Sequence, residues 1–295
     1  MIASGKRYIW HDSRTDEFRI WNLSDLHIGA RGCAENDLRR DVAAIAADPF
    51  SFWFGGGDYG DFIGHRDKRF DPNEMAEWLK VKDLADLGRV TMARVRDILA
   101  PIGPKCLGLL IGNHEVSLEN AGAQDSLHHW LCQELNAPFL GYCAFVDLAF
   151  CRTTGAAHEP VLRTALPPRR IGALGVRHSQ TETIRFFLHH GAGAVVTPGG
   201  KLNRLISAME SFDADVYMLG HVHDQMARRQ PAIAASDDCS QLIERVRLGM
   251  ISGSYLKTYQ QDCISYGERK MYKPTNLGAA VCKIKPAGRV IEAVI

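Results

Sequence analysis

The sequence predicts an α/β protein, and three observations carry that prediction. Short apolar runs alternate with stretches whose apolar residues recur at helical spacing. Four of the runs, and a fifth at FSFWFGGGD, stop abruptly at side chains that bind metals. The last part, from RVRLGMISGSYL to AAVCKIKPAGRVIEAVI, is rich in strand patterns.

Taken in order, RYIW and FRIWNL read as two strands around the polar turn HDSRTDE, and the second runs straight into SDLHIG. LRRDVAAIAAD has helical spacing, and FSFWFGG is a short buried strand ending in glycines. A helix is expected from Asp71, the N-cap, with Pro72 in the first position and Glu74 where a capping box wants it. It runs through Ala100 with a break near Gly88, and APIGP closes it. KCLGLLI is a buried strand, and QDSLHHWLCQEL a helix with Leu127, Leu131 and Leu135 on one stripe. TIRFFLHHG is a strand, KLNRLISAME an amphipathic helix, and DVYMLGHVH a strand with a polar end. A final hairpin turns at KPAG.

The 295 residues, 46% of them hydrophobic and 23% charged, have ordinary globular composition and are enough for a large core. A formal charge of +1 supplies no broad attraction to nucleic acid or anionic membrane. No window approaches the ~20 apolar residues of a membrane span, and the N-terminus shows no signal-peptide pattern. The eight cysteines are scattered without a C-x-x-C pair, as reduced thiols of a cytoplasmic protein would be.

The strand ends are SDLH, GGGD, GNHE, FLHHG and GHVH. Asp25 and His27 are two apart, so an extended chain turns both to one side, and the same holds for His221 and His223. Asp58 follows three glycines, which allow close backbone approach, and Asn113 offers a neutral oxygen. Aspartate, asparagine and imidazole without thiolate suit Mn²⁺, Fe or Zn²⁺. The donors are too many for one four-coordinate ion and about right for two ions sharing a carboxylate. Two such ions would lower the pKa of a bridging water.

This ordered series, D-x-H, G-D, G-N-H-E, a strand-end histidine and G-H-x-H between Asp25 and His223, resembles the calcineurin-like metallophosphoesterase superfamily. The resemblance implies a four-layer α/β/β/α sandwich of two mixed sheets with the metals at strand ends. Residues 1–295 then form a single domain, with a helical insertion around 62–100 rimming the site. It implies that Asp25, His27, Asp58 and His223 hold one cation, and that Asp58 bridges to a second held with Asn113, His189 and His221. His189 is preferred over His190 because it directly ends its strand; His190 then faces substrate. His114 matches the family's non-ligand histidine, which meets the phosphate and protonates the leaving oxygen, and Glu115 sits where acidic residues occur in the motif.

The implied cofactors are two divalent ions, most readily Mn²⁺, with Fe or Zn²⁺ as alternatives. The implied reaction is hydrolysis of a phosphodiester or phosphomonoester by a metal-bridging hydroxide. Protein phosphatases of the superfamily carry an Arg-Gly pair where Phe62 and Ile63 stand here and an arginine where Ile111 stands, which favours the phosphodiesterase, nuclease and phage-type branches. A nuclease acting on DNA or RNA and a non-catalytic scaffold are the alternative readings, and no membrane partner is expected.

Asp61 and His65 are further candidates for substrate contact, each set against a plain turn or loop role. Arg66, Lys68 and Arg69 could meet a phosphate or form a solvated loop, and His178 is a possible substrate contact. Lys201, in the glycine-rich GAGAVVTPGGKLNR, could reach an anion, whereas His128 and His129 read as ordinary helix histidines.

Overall fold

The computed structural model describes residues 1–294 apart from 66, 121–125, 154–158, 164–169, 173–174, 178–179, 194, 237 and 262. Strands β1 (Ile2–His11) and β2 (Phe18–Leu23) precede helix α1 (Glu35–Ala47) and strand β3 (Ser51–Gly55). Helix α2 (Leu87–Leu99), strand β4 (Cys106–Leu109) and helices α3 (Asn113–Asn120) and α4 (Leu127–Glu134) follow. Next come β5 (Cys143–Arg152), β6 (Val161–Arg163), β7 (Arg170–Gly172), β8 (Gly175–Arg177) and β9 (Gln180–His189). Helix α5 (Pro198–Ser211) and β10 (Val216–Leu219) lead to the hairpin of β11 (Met226–Ala235) and β12 (Leu242–Ile251). A short α6 (Tyr266–Arg269) and the hairpin of β13 (Ala280–Lys285) and β14 (Val290–Val294) complete the chain.

Two mixed sheets face each other. The larger has the order β11-β12-β10-β9-β5-β1-β6, the smaller β14-β13-β2-β3-β4, and β7 and β8 form a separate ribbon. Alternation along each strand decides the layers. Ile20, Phe52, Phe54, Phe150, Phe186, Leu188, Leu248 and Met250 fill the space between the sheets. On the outer face of the small sheet, Leu23 and Trp53 meet Leu38 of α1, Met92 of α2 and Leu131 of α4. On the outer face of the large sheet, Phe187 and Tyr217 meet Leu205 and Met209 of α5. The expected four-layer sandwich is the fold observed. Each buried Leu, Ile or Phe contributes about 1.5–3 kcal/mol relative to an exposed one.

Three features depart from the sequence reading or add to it. β1 and β2, separated by one polar turn, do not pair: β1 lies between β5 and β6, and β2 between β3 and β13. The turn therefore carries the chain from one sheet to the other. The helix expected from Asp71 lasts a single 3₁₀ turn, Pro72–Glu74, capped by the Asp71 side chain accepting from Asn73 N. Beyond it the backbone hydrogen-bonds across to another loop, with Ala76 N donating to Gly29 O and Arg31 N to Glu74 O. Helix resumes only as a 3₁₀ segment, Val81–Asp86, and then α2, whose second residue is Gly88, so the change of helix type falls beside the expected break. The third feature is β5. Its alternation, CAFVDLAFCR, went unread in the sequence, yet it is an interior strand pairing both β1 and β9.

No helix among the described residues is long and apolar enough to cross a membrane. All eight cysteines are unpaired.

Candidate metal centre

The strands β2, β3, β9 and β10 end on one edge of the sandwich, and so does the short extension of β4. The segments that follow them lace together. Asp25 N donates to Gly57 O, His27 N to Asp58 O and Ile28 N to Tyr59 O. The glycines make this approach possible. A Cβ on Gly57 would lie 2.7–2.8 Å from Gly112 N and Cα and His190 Nδ1, and the backbone there has φ +93°.

Asp25, His27, Asp58, His221 and His223 all have positive φ, between 48° and 71°. Left-handed backbone at a residue with a Cβ costs roughly 1–2 kcal/mol. Such strain persists only where the surroundings over-determine it, and it collects at functional sites.

The side chains converge in three groups whose ligand atoms lie within 4.8 Å of one another: Asp25, His27 and His223; His27, Asp58 and His114; Asp58, His190 and His221. Asp58 thus belongs to two of the three groups. Asp25 is buried; its Oδ2 accepts from Ser24 Oγ (2.5 Å) and His221 N (2.8 Å), while Oδ1 is 3.1 Å from His223 Nε2.

The imidazoles of His27 and His190 are held so that one nitrogen of each faces inward. His27 Nδ1 meets Asp61 Oδ1 at 3.2 Å, leaving Nε2 toward His223 Nε2, also at 3.2 Å. His190 Nδ1 donates to Gly56 O (2.7 Å), leaving Nε2 beside Asp58 Oδ2 (3.3 Å) and Asn113 Oδ1 (3.0 Å). Fixing the outer nitrogen in this way is how proteins orient metal-binding histidines.

Asn113 tests whether the donor set fits a cation. Its amide oxygen faces only acceptors, and reversing the amide would instead donate to His190 Nε2, Asp58 Oδ2 and His221 Nδ1, the last at 2.7 Å. The polar atoms of Asn113, His190, Asp58 and His221 thus face a common region. Oxygen and imidazole donors fit divalent ions of the Mn²⁺, Fe or Zn²⁺ kind.

Electrostatics says the same through protons. Burial pushes the Asp58 carboxyl up, but the hydrogen bond and charge of His190 outweigh it and hold Asp58 well below the usual carboxylate range. Burial likewise opposes ionisation of Asp25, yet His223 and His190 bring it down to about 2. His190 is raised to about 9, since the Asp58 carboxylate outweighs the effect of burial. The cluster draws in positive charge, and without cations it takes protons.

His190, expected to face substrate, is the buried member of the pair that joins the cluster, and His189, the expected ligand, is not. The reason is strand alternation. His189 has the parity of Phe187, on the face covered by α5, with the two rings 6.2 Å apart. His189 Nδ1 turns back to accept from Gly191 N. His190 has the parity of Leu188, on the side between the sheets. Tyr142, unremarked in the sequence, sets its ring edge-on to both imidazoles and accepts from His190 N through its carbonyl.

Asn113 and His114 form the first turn of α3 rather than a strand end. His114 N donates to Asp58 Oδ1, and His114 Nδ1 donates to the Asp61 carbonyl at 2.5 Å. Burial would lower the His114 pKa, but the Asp58 and Asp61 carboxylates raise it. Glu115 lies outside the three donor groups and clamps the loops. It accepts from Asp58 N (2.9 Å), Tyr59 N (2.7 Å) and Gly112 N (2.8 Å).

Asp61 touches His27 through its carboxylate and His114 through its backbone carbonyl. His65 is exposed in a turn outside the three donor groups. Arg69 is paired with Asp67, and Lys201 with Asp224, next to His223. His128 is buried and bonds Leu110 O, a core role. Arg66 and His178 lie outside the described residues.

Neither the family models nor the curated proteins compared with the chain match it. Solved structures do align with it. A predicted phosphoesterase from Streptococcus pneumoniae TIGR4 is 11% identical, over 92% of this chain and 84% of that one, with a TM-score of 0.30. A metallophosphoesterase from Sphaerobacter thermophilus is 15% identical, over 95% and 89%, with a TM-score of 0.34. The NAD nucleotidase of Haemophilus influenzae is 11% identical, over 95% of this chain and 49% of that one, with a TM-score of 0.39.

Proposed function

We propose that the protein is a metal-dependent phosphoesterase of the calcineurin-like kind, acting on a phosphodiester in preference to a protein phosphomonoester. The observation that carries this reading is the convergence of Asp25, His27 and His223 on one side of Asp58, and of His190, His221 and Asn113 on the other. Asp25, His27, Asp58 and His223 would hold one divalent ion; Asp58, Asn113, His190 and His221 would hold the second. When bound, such a pair neutralises phosphoryl charge and acidifies water.

The chain's own groups do the rest. Asp61 Oδ1 and Gly56 O keep the outer nitrogens of His27 and His190 protonated, so their inner lone pairs stay free. The Asp61 carbonyl fixes the proton of His114 on Nδ1, which leaves Nε2 to deliver a second proton to the departing oxygen. The carboxylates of Asp58 and Asp61 favour that doubly protonated ring. Phe62 and Ile111, at the two positions where the resemblance places arginines in protein phosphatases, offer no second grip on a dianionic monoester.

The test is hydrolysis of bis-p-nitrophenyl phosphate and p-nitrophenyl phosphate by chelated protein, alone and with added Mn²⁺, Fe²⁺ or Zn²⁺. Metal-restored turnover favouring the diester is expected. Stoichiometric metal without turnover on either ester would leave the scaffold reading.

A further inference from the structure

Beside the metal centre a cleft opens between the chain after β3, the segment around Met75 and helix α2. It spans about 350 Å³ with its open mouth, and its enclosed end is about 20 Å³, room for one water-sized group. Phe62, Ile63, Met75 and Leu87 supply apolar walls, while Thr91 and Asp61 bring polar atoms to it.

Three observations mark this cleft as more than a packing gap. Thr91 is fully buried, yet its Oγ1 has no hydrogen-bond partner among the described residues. A buried hydroxyl in that position is costly unless a ligand completes it. Phe62, whose ring lies against Gly60, has φ 52°. A bulky side chain on left-handed backbone is an outlier of the kind that collects at functional sites. The residue before it ties the cleft to the centre, since Asp61 meets His27 through its carboxylate and His114 through its carbonyl. In the proposed reaction His114 protonates the departing oxygen, so the cleft adjoins the leaving group.

We infer that this cleft receives the organic group on the leaving oxygen, and that the group is a flat nitrogen heterocycle bearing an amino group, as in an aminated nucleobase. The inference rests on the phosphoesterase reading and adds the substrate class. The apolar walls and the Phe62 ring suit the faces of a planar ring, which stack well on aromatic side chains. The small closed end admits only a substituent of that ring. Arg69 is bound to Asp67, and Glu74 and Asp71 to Arg269. The polar atoms left to the substituent are therefore Thr91 Oγ1 and the Asp61 oxygen that does not face His27. A carboxylate only accepts, so the substituent must donate, and an amino group has two N–H groups to offer.

Calorimetric titration of the Mn²⁺-loaded full chain with adenosine and with inosine tests the cleft without requiring turnover. Inosine carries a carbonyl where adenosine has its amino group. Adenosine should bind, and inosine about tenfold more weakly, the effect of one buried hydrogen bond. Thr91→Val should weaken adenosine by about the same factor and remove the discrimination. Ile63→Trp, which fills the mouth, should abolish binding of both nucleosides. Metal content should stay at the wild-type value in each variant and serves as the folding control. In hydrolysis, the dinucleoside phosphate of adenosine should exceed that of inosine in kcat/KM by a similar factor. Equal binding of the two nucleosides, binding of neither, discrimination that survives Thr91→Val, or equal kcat/KM overturns the inference, whatever the protein does with bis-p-nitrophenyl phosphate. Adenosine binding with the expected discrimination, but no turnover of any ester, would sustain the cleft and count against the phosphoesterase reading instead.

Discussion

His190 shows most clearly what a single residue contributes. Its Nδ1 is tied to Gly56 O and its Nε2 faces Asp58 and Asn113, so His190→Ala should lose bound metal. His189→Ala should keep it, and metal analysis of the two variants separates the neighbours. His114→Ala should retain metal while turnover falls by about 10²–10⁴, the usual contribution of a positioned acid. Equal metal loss from His114→Ala and Asp58→Asn would count against this division of roles. The pH dependence has a definite sign. In ion-free protein the His190 pKa is raised to about 9, above the ordinary value of 6.5. Its contribution to stability is therefore complete below about 6.5 and is lost as pH rises through about 9. The same proton must leave before a cation binds, so metal affinity should rise across that window. Calorimetry of chelated protein and metal titration at several pH values check the two halves together.

At the level of elements, the site depends on loops that meet through backbone contacts. Glu115, on α3, satisfies three backbone N–H groups from two separate segments. Glu115→Ala leaves all three without this partner in a buried place, at roughly 1–3 kcal/mol for each one that stays unpaired. A loss of several kcal/mol in denaturant melts is expected, together with weaker metal binding, because Asp58 N is one of the three. Gly57→Ala should act similarly by geometry, since its Cβ would collide with Gly112 and His190 and its φ is left-handed. Crowding of that kind was foreshadowed by the run of glycines before Asp58. The clamp by Glu115 was not, because an acidic residue after G-N-H looks the same whether it faces ions or backbone.

For the whole molecule, cation binding and folding should be one equilibrium. Five left-handed residues and a cluster of like donors are held together at the edge of two sheets, so ions that bind only the folded form must stabilise it. At a concentration 100 times Kd the gain is about 2.7 kcal/mol per ion. Melting temperature should rise with Mn²⁺ or Zn²⁺ and fall with chelator. No metal-dependent shift at any pH between about 6 and 9 would remove the basis of the proposed function.

Residue types and their order along the chain were sufficient to name nearly every donor of the candidate centre. Asp25, His27, Asp58, Asn113, His221 and His223 each end or follow an apolar run, and a core has no use for such groups there. Apolar periodicity likewise sufficed for the α/β class and for most strands. What tertiary structure alone decided was orientation and partnership: His190 instead of His189, β1 and β2 in different sheets, Asp61 beside His27, and a loop where a helix was expected after Asp71. The physical reason is common to all four. Donor chemistry and apolar period belong to the local sequence. The face a side chain presents, and the carbonyl its nitrogen finds, are set by registers and hydrogen bonds with segments tens to hundreds of residues away.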